Sequence, residues 1–348
     1  MPRIATMLLT TAPLALAAQN AAAQELNALV WCDHTDPALI EPFEAQHGVT
    51  VNLREYEGTG AALALLEQSR PGDWDVLVID GIDVFRAVEA GILAPLEGVE
   101  TGDFFPEVVM DENNSVDGTT YAVTEKFGYN TISYNADAVD EADMASLASV
   151  WSEKYDGRIS IYDYYLPVIG LAAIANGTET AAIAEGDLDA LGETLAAMRS
   201  RAASVAGVVA AQTALATGEV DIVIGGGEWL TAGLAAEQPN LTWTIPDEGA
   251  VRWAQSIGVV EGAANPELAL EFVKYIVSPE GQARLATSSC FWGMPANAAA
   301  GDVLTDDQKA LLRWDEQEGY LARTQLYPAP DAELDAAMQD LWFETLQQ

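Results

Sequence analysis

The chain has 348 residues, half of them hydrophobic and a fifth charged, so it can bury a sizeable core, and its length suggests two lobes. Fifty-four Asp and Glu stand against 15 Lys and Arg, a formal net charge of −39 that repels phosphate backbones and anionic membranes and excludes nucleic acid as a natural partner. The same excess is what a highly soluble or salt-adapted surface requires, so net charge alone names no cationic ligand.

In chain order, Arg3 supplies a positive n-region, Ile4 to Ala18 a short apolar stretch, and Ala21-Ala22-Ala23 a small-residue cleavage pattern before Gln24. Together they read as an export signal over residues 1–23. A bilayer span needs about 20 apolar residues, and no later stretch qualifies, so a mature protein soluble in the periplasm is expected. Cys32 and Cys290 are the two cysteines. In an oxidising compartment they suit a single disulfide, with two separate buried thiols as the alternative.

Residues 27–32 read as a strand. Asp36 is placed as the N-cap and Pro37 as the first position of a helix that closes at Gly48. Residues 49–56 alternate as a strand, a helical run covers 61–69, and 76–79 is a short apolar strand. This alternation implies an α/β fold with right-handed crossovers and a mostly parallel sheet covered by helices on both faces. A second series follows, with strands at 131–135 and 158–162, a helix from Pro167 to Asn176, a long Ala/Leu-rich helix near 186–205, and a strand at 220–224. Gly225-Gly226-Gly227 comes next, where absent side chains let a ligand or a facing lobe approach closely. Leu268, Phe272 and Ile276, flanked by Ala269 and Val273, make an amphipathic helix over 266–277, and Pro279 begins another.

Open α/β sheets bind ligands beyond the carboxyl ends of their strands. Just past the proposed strand ends lie Asp33, Asp36, Asp80, the run Tyr162-Asp163-Tyr164-Tyr165, Glu228-Trp229, and Arg252-Trp253-Ala254-Gln255. Carboxylates accept charge-assisted hydrogen bonds from ammonium groups, and aromatic faces attract the charge and cover methylenes. The mixture suits an organic cation. Asp36, Asp80 and Asp163 could instead cap nearby helices, and Trp253 could be a core residue bridging the lobes.

Five segments, taken jointly and in order, carry a family resemblance: 29–53 (LVWCDHTDPALIEPFEAQHGVTVNL), 73–97 (DWDVLVIDGIDVFRAVEAGILAPLE), 149–163 (SVWSEKYDGRISIYD), 216–226 (ATGEVDIVIGG) and 265–286 (NPELALEFVKYIVSPEGQARLA). They resemble the periplasmic solute-binding proteins of ABC importers, specifically the spermidine/putrescine receptor family. The resemblance implies a type II periplasmic-binding-protein fold with a ligand cleft between two lobes joined by crossing segments. One lobe would combine 26–128 with 252–298 and the other 129–251 with 299–348. It also implies a small-molecule ligand, an inner-membrane permease as partner and a monomeric receptor without cofactor, metal or catalytic residue.

The residues expected to line the cleft are Asp33, Asp36, Asp80, Asp163, Tyr164, Glu228, Trp229, Trp253, Gln255 and Trp292, with Trp253 coinciding with a family aromatic position. Departures are informative. Polyamine receptors typically present a Trp at the position of Asp33, an aromatic at Asp36, another Trp at Gly226, and an amine-binding carboxylate where this chain has Gln255. Arg252 and Lys126, if in the cleft, would tolerate or require an anionic group on the ligand, so a zwitterion competes with a polyamine.

Other classes fare worse. The only histidines are His34 and His47, and neither a G-x-S-x-G elbow nor an H-E-x-x-H helix is present, so Ser-His and zinc hydrolases lack their signatures. A secreted hydrolase using paired carboxylates ranks last. Related receptors bind ferric iron through adjacent tyrosines, which makes Tyr164-Tyr165 the basis of the alternative, a ferric-ion or other small-solute receptor.

Overall fold

The computed structural model describes residues 24–109 and 111–347. The export signal read over 1–23 lies outside the described residues. Among the described residues thirteen strands run in chain order: β1 (Gln24–Val30), β2 (Val49–Glu55), β3 (Val76–Asp80), β4 (Ser115–Val116), β5 (Thr119–Thr120), β6 (Val123–Asn135), β7 (Ile159–Tyr162), β8 (Ala202–Ala206), β9 (Ile222–Gly226), β10 (Leu241–Thr244), β11 (Ala250–Val259), β12 (Met294–Pro295) and β13 (Thr324–Leu326).

The main sheet follows the order β2-β1-β3-β11-β6-β9-β7-β8. At one end β2, β1 and β3 are parallel, and at the other β9, β7 and β8 are parallel. Between them β11 runs antiparallel to both β3 and β6, and β6 antiparallel to β9. The sheet is therefore mixed, not mostly parallel: each half is a parallel α/β unit, and two long antiparallel strands carry the chain from one half to the other. β6 changes partners along its length, pairing β11 through Asn130 and β9 from Thr131 onward. The result is the two-lobed α/β fold, with a curled sheet.

Local rules explain most elements. Asp36 caps the helix Pro37–His47 by accepting from the Ala38 N–H at 2.9 Å, and Gly48 ends it in the left-handed conformation at φ 67°. Val76 to Ile79 are fully buried, as a strand covered on both faces requires. Helix Pro266–Ile276 turns Ala269, Phe272, Val273 and Ile276 inward. The long helix expected near 186–205 ends sooner: helix Leu188–Arg201 stops, and Ala202–Ala206 is β8, parallel to β7. Alanine's helix propensity there loses to completion of the parallel edge.

Cys32 and Cys290 are joined in a disulfide, with Cα atoms 5.9 Å apart and 258 residues between them in sequence. The bond links the turn after β1 to the loop that precedes β12. No helix among the described residues is long and apolar enough to cross a membrane. Because a cross-link stabilises mainly by restricting the unfolded chain, Cys290→Ala should lower unfolding free energy by about 2–4 kcal/mol. Urea denaturation of the oxidised protein and the variant measures the difference, and equal midpoints would show that the bond constrains nothing.

Candidate ligand-binding site

Between the two halves lies a cavity of about 200 Å³. Its floor is one face of the crossing strands. Side chains alternate across a strand, so Trp253 and Gln255 share a face of β11, and Lys126 and Asn130 share a face of β6; all four line the cavity, together with Asp80 at the end of β3. Arg252 falls on the opposite face. There its guanidinium donates to the Glu107 carbonyl at 3.0 Å and the Thr324 hydroxyl at 3.3 Å. The expectation that the segment 252–255 lies past a strand end is corrected: it is the middle of β11, and strand alternation removes Arg252 from the cleft.

Aromatic rings make the walls. Tyr327, Tyr164, Tyr162, Trp229 and Phe291 form a continuous series, with neighbouring ring centroids 5.9, 6.0, 5.2 and 6.1 Å apart and mostly edge to face. Trp31 and Trp253 bring the lining to seven rings. Several are locked in place. The Trp229 indole donates to the Tyr129 carbonyl at 3.1 Å, and the Tyr327 hydroxyl donates to the Asn130 side-chain oxygen at 2.7 Å, while the same amide donates to the Gly225 carbonyl at 2.9 Å.

Trp253 sits where it does because Gly128 lies opposite it in the β6 ladder. A Cβ on Gly128 would stand 1.9 Å from a Glu228 carboxylate oxygen and 2.3 Å from the Trp253 ring. The triple glycine serves a similar close approach. A Cβ on Gly227 would meet the Tyr129 carbonyl oxygen at 2.0 Å, one on Gly226 the Ser133 hydroxyl at 2.4 Å and one on Gly225 the Tyr162 side chain at 3.0 Å, so the glycines admit neighbouring strands, not a ligand.

Charge in the site is organised by a buried chain. Glu125, His34, Asp33 and Lys126 are all essentially inaccessible to water. His34 Nε2 lies 2.9 Å from Glu125, its Nδ1 lies 2.9 Å from Asp33, and Lys126 Nζ donates to the other Asp33 oxygen at 2.8 Å and to the Phe291 carbonyl at 2.9 Å. Burial works against charge on Asp33, but Lys126 and His34 overcome it and hold the carboxyl well below the usual range. Burial likewise opposes a charged His34, yet Glu125 and Asp33 push it up to about 10.

Asp80 differs. Among the described residues no Lys, Arg or His lies within ion-pair distance of it. Burial, and then the Asp83 charge beside it, push its carboxyl up to about 7. Gln255, paired with Asp80 across β11 and β3, has a buried side-chain oxygen with no partner. Asp80 and the Gln255 oxygen are thus two acceptors at the cavity with no cationic partner.

Six of the ten expected residues therefore meet at the cavity: Asp33, Asp80, Tyr164, Trp229, Trp253 and Gln255. The other four lie elsewhere. Asp36 is occupied as a helix cap and also accepts from the Ser289 N–H at 2.9 Å. Asp163 is exposed and accepts from Gln347 at 2.8 Å. Glu228 is wholly buried behind the lining, where both carboxylate oxygens accept from the Tyr129 N–H at 3.1 and 3.2 Å, and burial pushes its pKa up to about 8. Trp292 packs on the core, and its neighbour Phe291 lines the cavity instead.

Trp31, Asn130, Val208, Phe291 and Tyr327 complete the lining without having been singled out from the sequence. Trp31 adjoins the first strand, so the rule that found Asp33 could have found it. Tyr327 arrives from a C-terminal segment with no local motif. Tyr165 packs edge to face on Tyr164 but donates its hydroxyl to Asp335 and does not line the cavity, so the two hydroxyls do not meet at one site.

A cavity between two α/β halves, walled by rings and holding free acceptors, belongs to the class of ligand receptors. The model of the bacterial extracellular solute-binding protein family matches residues 38–311, and the chain belongs to that family. Family members bind small ligands and deliver them to ABC permeases. The chain is 25% identical over 311 residues to the spermidine/putrescine-binding periplasmic protein of Escherichia coli, covering 86% of each. It is 27% identical over 302 residues to iron uptake protein A1 of Synechocystis, covering 78% of each. In fold it matches a spermidine/putrescine ABC transporter substrate-binding protein from Streptococcus pneumoniae with a TM-score of 0.80 at 17% identity, over 93% of this chain and 98% of that one.

Since Gly128 leaves no room for a side chain, Gly128→Ala should force Trp253 and Glu228 aside and destabilise the protein by about 1–3 kcal/mol. Tryptophan fluorescence and denaturant titration together report this. A variant with native stability and emission would mean that Trp253 is not seated on the glycine.

Proposed function

We propose that this chain is the periplasmic substrate-binding component of an ABC importer, capturing a polyamine or a related small organic cation or zwitterion and handing it unchanged to an inner-membrane permease. The observation that carries this reading is the meeting of Asp80, a carboxylate without a cationic partner, with an aromatic wall. A desolvated ammonium gains both a charge-assisted hydrogen bond and cation–π attraction there. Sequence relatives named for spermidine and putrescine support it. Among the described residues no group of three His, Cys, Asp or Glu side chains is placed to hold a metal ion.

The lobes of this reading are 26–128 with 252–298, and 129–251 with 299–348, the receptor acting as a monomer. Their division is supported by the partner exchange of β6 at Asn130 and Thr131. Asp33, Asp80, Lys126, Gln255, Trp31 and Phe291 approach from one side, and Tyr162, Tyr164, Val208, Trp229 and Tyr327 from the other. A ligand touching both sides favours the closed state by its differential affinity for it.

Ferric ion belongs in the same screen, because one relative is named for iron uptake and three tyrosines line the cavity. Against iron, burial raises the Tyr162, Tyr164 and Tyr327 phenols above their ordinary pKa, with the Asp80 charge adding to it at each, whereas ferric ligation needs phenolates.

Thermal-shift screening of the mature protein against polyamines, betaines, amino acids and ferric ion tests the reading, since a ligand of the folded state raises its apparent stability. An organic cation or zwitterion should stabilise; a shift with ferric ion alone, with a visible charge-transfer band, would replace the proposal. Trp253→Ala should weaken the ligand by more than about 1 kcal/mol in calorimetry.

The pH dependence has a definite sign. Asp80, with its carboxyl near pH 7, is partly protonated in the free protein, and a cation selects the carboxylate. Affinity should therefore fall as pH drops from 8 to 6, with a proton released on binding. Asp80→Asn should bind weakly with a flat profile, and a pH-independent wild type would remove Asp80 from the site.

A further inference from the structure

Three adjacent strands place a row of unlike polar groups across the cavity floor. Gln255 on β11 stands opposite Asp80 on β3 and also opposite Lys126 on β6. Neighbouring strands are about 4.8 Å apart, so the row spans roughly 10 Å between the Cα atoms of its ends. It reads acid, neutral amide, cation.

The charge on this floor can be counted. Asp33 and Lys126 form an ion pair at 2.8 Å. His34, which the neighbouring carboxylates hold toward its charged form, lies against Glu125 at 2.9 Å, so imidazolium and carboxylate offset one another there. Asp83, next to Asp80, is paired with Arg86 at 3.0 Å. Glu228 is held toward its neutral form by burial behind Gly128. One uncompensated negative charge remains, on Asp80. At the other end of the row, Lys126 has three N–H donors and spends two of them on Asp33 and the Phe291 carbonyl, which leaves one for the cavity it lines.

We propose that the ligand carries one positive centre and a net charge no greater than +1, with its ammonium at Asp80 and a neutral or anionic acceptor group facing Lys126. This deepens the receptor reading and rests on it. A diamine long enough to reach along the row would bring its second ammonium to a lysine with no further free carboxylate, where like charges in a low-dielectric site repel strongly. An amide carbonyl or a carboxylate at the same place instead receives the spare N–H. Gln255, between the two ends, contributes its unpartnered oxygen to the ammonium side.

The experiment is calorimetry on the mature protein with three probes of one four-carbon span: putrescine with two ammoniums, N-acetylputrescine with an ammonium and an amide, and 4-aminobutyrate with an ammonium and a carboxylate. At least one of the single-ammonium probes should bind about tenfold or more tighter than putrescine, a gap of about 1.4 kcal/mol. Lys126→Met, which frees the Asp33 carboxylate, should narrow or reverse that preference. The ranking on the unmodified protein decides the matter even if this variant does not fold. Putrescine binding as tightly as the others, or tighter, overturns the inference and leaves the receptor reading intact. If none of the three binds while ferric ion does, the receptor reading itself fails and this inference with it.

Discussion

The buried chain of Glu125, His34, Asp33 and Lys126 is the constraint on which the site depends. Removing an ion from water costs several kcal/mol, which only close, well-directed partners offset. Each contact is at 2.8–2.9 Å, and the chain joins the turn after β1, the strand β6 and, through the Phe291 carbonyl, the loop after Cys290. Three segments far apart in sequence are thus fixed relative to one another by a single charge-balanced network. The network also decides which acids are available: Asp33 borders the cavity but is already satisfied, and Asp80 is not.

The second determinant is strand alternation on the two crossing strands. On β11 it sends Trp253 and Gln255 into the cavity and Arg252 and Ser256 out of it. Arg252 ends beside Glu107 and Thr324, and Ser256 donates to Asn114 at 2.8 Å. On β6 it interleaves Lys126, Gly128 and Asn130 with Phe127 and Tyr129, whose rings enter the core. A one-residue slip of either strand would exchange the two sets, so register sets the chemistry of the floor as directly as residue identity does.

Much of this was legible before the structure. Apolar runs such as 76–79, the Asp36-Pro37 start and the amphipathic spacing of 266–277 are local signals, and each became the element expected. The fold class followed from strand and helix alternation with the family resemblance. What local signals cannot carry is pairing across the chain. β8 was hidden in an alanine-rich stretch because only its neighbour β7 makes it a strand. The full extent of β6 and β11, and with them the antiparallel centre of the sheet, depended on partners distant in sequence. For the same reason Asp36 and Glu228, plausible acids by position, are taken up by backbone donors, while Phe291 and Tyr327 reach the cavity from loops with no motif of their own.

The disulfide and the cavity together bear on the order in which the molecule is completed. The lining extends from Trp31 to Tyr327, and the covalent link joins positions 32 and 290. A growing chain cannot assemble this pocket until nearly all of it is available, because a wall contributed by Tyr327 has no local substitute. The complete lining therefore exists only when the segments out to Tyr327 have packed against those that the disulfide joins.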